Sequence, residues 1–151
     1  MRNAFQEELD SIHDTLVKMG KLVEESMSEA TKALLQPNLE IAEKVIKNDD
    51  VIDDMQHELD ARTMMIIARQ SPVAGDLRTL VTSLRMSADL ERMGDMAHHI
   101  AKLARMRYPN CAVPDEIKEI IVQMDRVAVG IIQKTTAAIE TRNTTLALQL
   151  E

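Results

Sequence analysis

The sequence predicts an all-α fold, an antiparallel three-helix bundle followed by the start of a second, incomplete bundle, and three observations predict it. Aromatics make up 1 % of the 151 residues and Gly and Pro number four each, while Ala, Leu, Ile, Met, Glu and Lys abound, a composition that favours long helices over strands. Apolar residues recur at three-and-four spacing through long stretches. The links between those stretches are short, so helices of roughly thirty residues must pack antiparallel.

The first stretch carries Leu9, Ile12, Leu16, Met19, Val23, Met27, Ala30 and Leu34 on one stripe, tolerates Gly20, and ends at Pro37-Asn38. The second has Ile41, Val45, Ile52, Met55, Leu59 and Ile66, and Ser71-Pro72 closes it because the residue before proline disfavours helix. Its polar side carries Asp49, Asp50, Asp53, Asp54, Glu58 and Asp60. The third is entered through SPVAG and runs from about Asp76 to Arg107, with Met86, Leu90, Met93, Ala97, Ile100 and Ala104 as its inner stripe.

After Tyr108-Pro109-Asn110 and Val113-Pro114, a fourth stretch repeats the first, with Ile117, Ile121, Met124, Ala128, Ile132 and Ile139. A shift of 105 positions sets Ile12 on Ile117, Met19 on Met124, Leu34 on Ile139 and, past the helix end, Asn38 on Asn143 and Ile41 on Leu146. Matched core types kept across a turn suggest an internal duplication, the alternative being chance agreement between two amphipathic helices. Residues 1–108 are then a first repeat, and residues 114–151 the first helix and the start of the second helix of a C-terminally truncated second repeat. The fourth helix must bury its stripe on the first bundle, on a partner chain or by swapping, and a homodimer or higher oligomer is expected.

A formal charge of −7 with scattered Lys and Arg argues against nucleic-acid binding, which needs a concentrated basic face. The lone Cys111 fits a reducing compartment. The start MRNAFQEELD has no apolar signal core, and no run of about 18 apolar residues occurs, so a cytoplasmic protein that does not span the membrane is expected.

The segment SADLERMGDMAHHI sets Glu91 and Asp95 one helical turn apart. At about 100° per residue they fall roughly 140° to 180° from the centre of the expected stripe and should point outward. With the second and third helices as a hairpin turning near Pro72, Asp49 lies level with Asp95 and Asp53 with Glu91. Four carboxylates at one height repel unless a cation joins them, and all-oxygen ligands suit Mg²⁺, Ca²⁺, Mn²⁺ or iron. His98, three residues beyond Asp95, would widen the range to zinc. The bland alternative is a solvated acidic face, and Asp50 and Asp54 fit the height almost as well as Asp49 and Asp53.

His98 and His99 read first as surface histidines or as partners of a ligand rather than ligands themselves, and His13 and His57 as isolated surface residues. The eleven methionines read as core filler. Arg78, Arg85 and Arg92 form a row at seven-residue spacing, expected to pair with neighbouring carboxylates. No Gly-rich phosphate loop, Ser/His/Asp arrangement or CxxC pair is present, so nothing announces an enzyme. A ferritin-like di-metal carboxylate enzyme, suggested by Asp95-x-x-His98, would need ligands from four helices projecting into a bundle core. A purely structural oligomerisation module is the remaining alternative.

The wording NDDVID, SPVAGDLR and SADLERMGD resembles the PhoU family of phosphate-signalling regulators, in an actinobacterial form. The resemblance is carried by Pro72, Ala74, Asp76-Leu77-Arg78 and Glu91-Arg92-x-Gly94-Asp95 and covers nearly the whole chain. It implies two tandem three-helix bundles and an E(D)-x-x-x-D metal motif in each repeat, matched here by Glu91 and Asp95. It also places the second-helix ligands on Asp49 and Asp53 in preference to Asp50 and Asp54. The cofactors it implies are divalent or trivalent metal ions in multinuclear iron or zinc clusters, with Mg or Mn as the alternative. The role it implies is negative regulation of phosphate uptake and signalling, by an adaptor between the phosphate ABC transporter's ATPase subunit and a sensor histidine kinase. Contact with the membrane would run through those partners only. The unfinished second repeat sets this chain apart from the family pattern.

Overall fold

In a computed structural model that describes residues 2–150, all regular structure among those residues is helical. Helices α1 (Arg2–Leu35), α2 (Leu39–Gln70) and α3 (Ala74–Arg107) each pack against the other two. A short 3₁₀ turn (Asp115–Ile117) leads into α4 (Lys118–Thr141), which packs on α1 alone of the three, and α5 (Thr144–Leu148) follows.

Each boundary has a local cause. Asn38 caps α2 by accepting a hydrogen bond from the Ile41 backbone N–H at 3.0 Å, and Asn143 caps α5 in the same way through Leu146 at 3.1 Å. These two caps stand at the 105-residue offset read from the sequence. At the far end of α2, Ser71 turns into the left-handed region (φ 45°) and its N–H returns to Ile67 O at 3.1 Å, so the chain reverses before Pro72. The Tyr108–Pro109 peptide after α3 is cis.

The core is built on α1. Ile12, Leu16, Met19, Val23, Met27 and Ala30 meet Val45, Ile52, Leu59 and Ile66 of α2 and Leu80, Leu90, Ala97 and Ala101 of α3. Each fully buried Ile, Leu, Val or Met contributes about 1.5–3 kcal/mol. Ala33, Leu34, Ala42, Ala104 and Val113 close the end of the bundle nearest Cys111.

On α3 the buried line runs Leu80, Ser83, Ser87, Leu90, Gly94, Ala97, Ala101 and Ala104. It is rotated by roughly 60° from the expected stripe, so that Met86, Met93 and Ile100 flank it. Small residues occupy the innermost positions because α3 lies close to its neighbours. Ser87 fits there because its hydroxyl donates to Asp60 Oδ1 at 3.0 Å.

The stripe expected on α4 divides between two faces. Ile132 and Thr136 are buried against α1, whereas Ile117, Ile120, Met124, Val127 and Ile131 are exposed. Met19 is 0 % exposed and its counterpart Met124 is 62 % exposed, because α1 is enclosed by three helices and α4 is covered on one side. Gly20 permits this α1–α4 approach, since a Cβ there would lie 3.0 Å from Thr136 Cγ2 and 3.2 Å from its Cβ. His13 is half-buried rather than free, with its Nε2 2.9 Å from Ile139 O, and so ties α1 to α4.

Candidate metal centre

The seam between α2 and α3 holds the four carboxylates singled out from the sequence. About the axis of α2, Asp49 lies roughly 40° and Asp53 roughly 80° from the centre of the buried face, while Asp50 and Asp54 point away. Accordingly Asp49 is buried and Asp53 half-buried, and Asp50 and Asp54 are exposed. On α3 the rotation described above brings Glu91 to about 80° and Asp95 to about 120° from the inner line. Glu91 therefore edges the seam, half-buried, and Asp95 stays exposed at its rim.

Gly94 sets how closely the helices meet. A Cβ at that position would lie 3.1 Å from Ile52 Cδ1 and 3.7 Å from Asp49 Oδ1. With only a hydrogen in that place, α3 covers Asp49 and leaves it 8 % exposed. The Asp49 Oδ2 contacts His98 Nδ1, in a pair whose side chains are 10 % and 15 % exposed.

The remaining atoms of that pair, Asp49 Oδ1 and His98 Nε2, are buried and have no hydrogen-bond partner. A buried carboxylate oxygen without a donor is costly, and a cation relieves that cost. Asp49, Asp95 and His98 each place one ligand atom within 4.8 Å of the others. Asp53 and Glu91 lie outside that group but within its field. Burial pushes both carboxyls above their ordinary range, and like charges push further: Asp49 and Asp95 on Asp53, and Asp53, Asp95 and Asp49 on Glu91. Opposing contributions come from His57 on Asp53 and Arg92 on Glu91.

Among the described residues, no Lys or Arg forms a salt bridge with these four acids. Arg78, Arg85 and Arg92 are exposed and form no ion pair there, so the pairing expected for that row is not found. Extended side chains on the outer face of α3 remain in water, where an ion pair gains little. His57 is exposed, with its ring Nδ1 2.8 Å from Asp53 O, and His99 is exposed beside His98.

The donor set fits a cation: carboxylates without basic partners, one of them buried with an unsatisfied oxygen, and an imidazole at its side. Of the two places the sequence allowed His98, the surface or beside a ligand, the structure shows it half-buried against Asp49. The signal was present, since its i+3 spacing from Asp95 puts it on the Asp49 side of α3, nearly level with Asp49.

Long antiparallel helices with acids facing across the α2–α3 seam define a class of helical-bundle proteins with a candidate metal-binding seam. Residues 16–104 match the family described as the PhoU domain, and the chain belongs to the PhoU family. It is 40 % identical over 131 residues to the phosphate-specific transport system accessory protein PhoU homolog 2 of Mycobacterium tuberculosis, an alignment spanning 87 % of this chain and 62 % of that protein. PhoU homolog 1 of Mycobacterium leprae is 35 % identical over 150 residues, 99 % of this chain and 68 % of its own length. The chain thus spans about two thirds of the curated relatives it matches.

Among solved structures, the phosphate transport system regulatory protein PhoU from Streptococcus pneumoniae superposes with a TM-score of 0.84 at 26 % identity, covering 97 % of this chain and 68 % of that one. PhoU from Pseudomonas aeruginosa superposes with a TM-score of 0.80 at 31 % identity, covering 96 % and 69 %. No helix among the described residues is long and apolar enough to cross a membrane.

Proposed function

We propose that the chain is a cytoplasmic regulator of phosphate transport, an adaptor without turnover that couples the ATPase subunit of a phosphate ABC transporter to a sensor histidine kinase and damps uptake when phosphate is sufficient. Family membership carries this reading, together with relatives named as accessory proteins of phosphate-specific transport. The cation site belongs to the same proposal, with Asp49, Asp53, Glu91 and Asp95 as its carboxylates and iron or zinc, or else magnesium or manganese, as its occupant. The unpaired Asp49 Oδ1 and the upward-shifted Asp53 and Glu91 support it. A bound ion supplies positive charge that cross-links α2 and α3, which stiffens a surface for docking.

The duplication and a homodimer are parts of the same reading. Equivalent asparagine caps support the first, and the bare apolar face of α4 supports the second. A ferritin-like enzyme is disfavoured, because its ligands come from four helices about a bundle core, whereas these acids line a seam between two.

The test is complementation and capture. Expressed in a strain lacking its own regulator, the chain should restore repression of a phosphate-responsive reporter at high phosphate, and it should retain the transporter ATPase on a column. Failure of both in a chain shown to be folded overturns the adaptor reading.

A further inference from the structure

We propose that His98 is a metal ligand that makes this seam selective for zinc-like transition ions over magnesium, an inference that rests on reading the seam as a metal site. Its position carries the argument. One His98 ring nitrogen, one Asp49 oxygen and one Asp95 oxygen lie within 4.8 Å of one another, the spread of atoms that share an ion. Asp49 is 8 % exposed and its Oδ1 is unpartnered, so the acid beside the imidazole is built into the protein and is not a solvated surface group.

A structural tie between Asp49 and His98 would account for one nitrogen only. If Nδ1–H donates to Asp49 Oδ2, Nε2 keeps a lone pair that is buried and unpaired. If Nδ1 and Asp49 converge on one ion, Nε2 carries the proton. In the first arrangement a cation takes the Nε2 lone pair while the carboxylate fixes the ring in place; in the second the ion takes the place of the hydrogen bond and is shared by Nδ1 and Asp49.

The chemical consequence follows from donor type. Four carboxylates alone form an oxygen site suited to hard ions such as Mg²⁺, which also keeps several of its waters. Imidazole nitrogen adds little for Mg²⁺ and much for Zn²⁺, Fe²⁺ or Co²⁺. His99 offers no substitute. Its ring centroid is 5.8 Å from that of His98, the rings are tilted by 43°, and it is exposed.

The experiment compares the full chain with His98→Gln and His99→Gln after removal of metal by chelator. Zn²⁺ and Mg²⁺ affinities are measured separately by calorimetry, with helical content checked by circular dichroism. Zinc binding should weaken about ten- to a hundredfold in His98→Gln, magnesium binding should change less than about threefold, and His99→Gln should match the parent. An equal change for both ions, or none for zinc, overturns the ligand role and leaves His98 a structural partner of Asp49. Binding of neither ion by the parent chain overturns the metal reading of the seam itself, a separate result. A measurement on the unmutated protein guards against a variant that fails to fold: in ¹⁵N-histidine NMR, zinc should shift a ring nitrogen of His98 and magnesium should not. Zinc binding that leaves both His98 ring nitrogens unmoved overturns the proposal.

Discussion

Neutralising Asp53 and Glu91 together, as Asp53→Asn/Glu91→Gln, should change the stability of the metal-free and metal-bound protein in opposite directions. In the free protein both carboxyls are half-buried among Asp49 and Asp95, and each is pushed up first by burial and then by its acidic neighbours. Each like-charge pair costs a few tenths of a kcal/mol once solvent screening is discounted, so removing the five pairs among these four acids that involve Asp53 or Glu91 should stabilise the free protein by about 1–2 kcal/mol. For a domain of this size that raises Tm by about 2–8 °C. A saturating ion at a hundred times its Kd adds about 2.7 kcal/mol to the parent, and should add little to the variant. Thermal unfolding followed by circular dichroism, first with EDTA and then with zinc or manganese, reads both halves. The variant should melt higher in EDTA and the parent should show the larger rise with metal. A variant that melts lower in EDTA refutes the repulsive cluster, and equal metal-induced rises refute Asp53 and Glu91 as ligands.

The same two carboxyls set a pH dependence. Because their folded-state pKa values lie above the ordinary ones, the stabilising contribution is complete below the ordinary values and is lost as pH rises through the folded ones. The metal-free parent should therefore gain stability as pH falls through the folded values toward the ordinary ones, about 4, and Asp53→Asn/Glu91→Gln should gain less; urea midpoints with the same acid dependence in parent and variant would contradict the shift. Gly20→Ala should destabilise by about 1–3 kcal/mol despite the better helix propensity of alanine, because its methyl meets the Thr136 side chain. Gly20→Ala/Thr136→Ala should recover most of the loss, as a double-mutant cycle in urea would show. Ser71→Gly should stabilise by about 0.5–1 kcal/mol by relieving its left-handed backbone, and Asn38→Ala should cost about 1 kcal/mol through loss of the α2 cap; both are read from denaturation midpoints.

The helices and their turns were legible in the sequence because they follow from local chemistry. Three-and-four apolar spacing, Asn38 ahead of α2 and Ser71-Pro72 behind it act within a few residues of where they stand. The partnering of faces depends on what arrives from elsewhere. Apolarity marked both sides of α4 alike, and only the approach of α1 decided that Ile132 is covered while Met124 is bare. The level pairing of Asp49 with Asp95 and Asp53 with Glu91 was readable from helical rise alone, since a hairpin fixes height.

Rotation was the quantity that hydrophobic pattern misjudged, and it changes the meaning of the site. A reading that favours large apolar residues centred α3 on Met86, Met93 and Ile100, whereas close packing selected Ser87, Gly94 and Ala101 for the inner line. The difference of roughly 60° carries Glu91 and His98 from the outer face to the edge of the seam and brings the exposed Asp95 to its rim. It also places Gly94 over Asp49, and the closeness that glycine permits is what buries the carboxylate. Burial has two consequences: Asp49 must find a partner, and water is excluded from one side of any ion bound there, which strengthens each bond to that ion. A solvated acidic face would have needed neither the glycine nor the histidine. Gly94→Ala separates the two accounts, since its methyl would press on Ile52 Cδ1 at 3.1 Å and move α3 outward by a few tenths of an ångström. If the seam is a metal site, that shift should weaken zinc binding while the helices remain folded. Unchanged zinc binding would mean that the close approach serves packing alone.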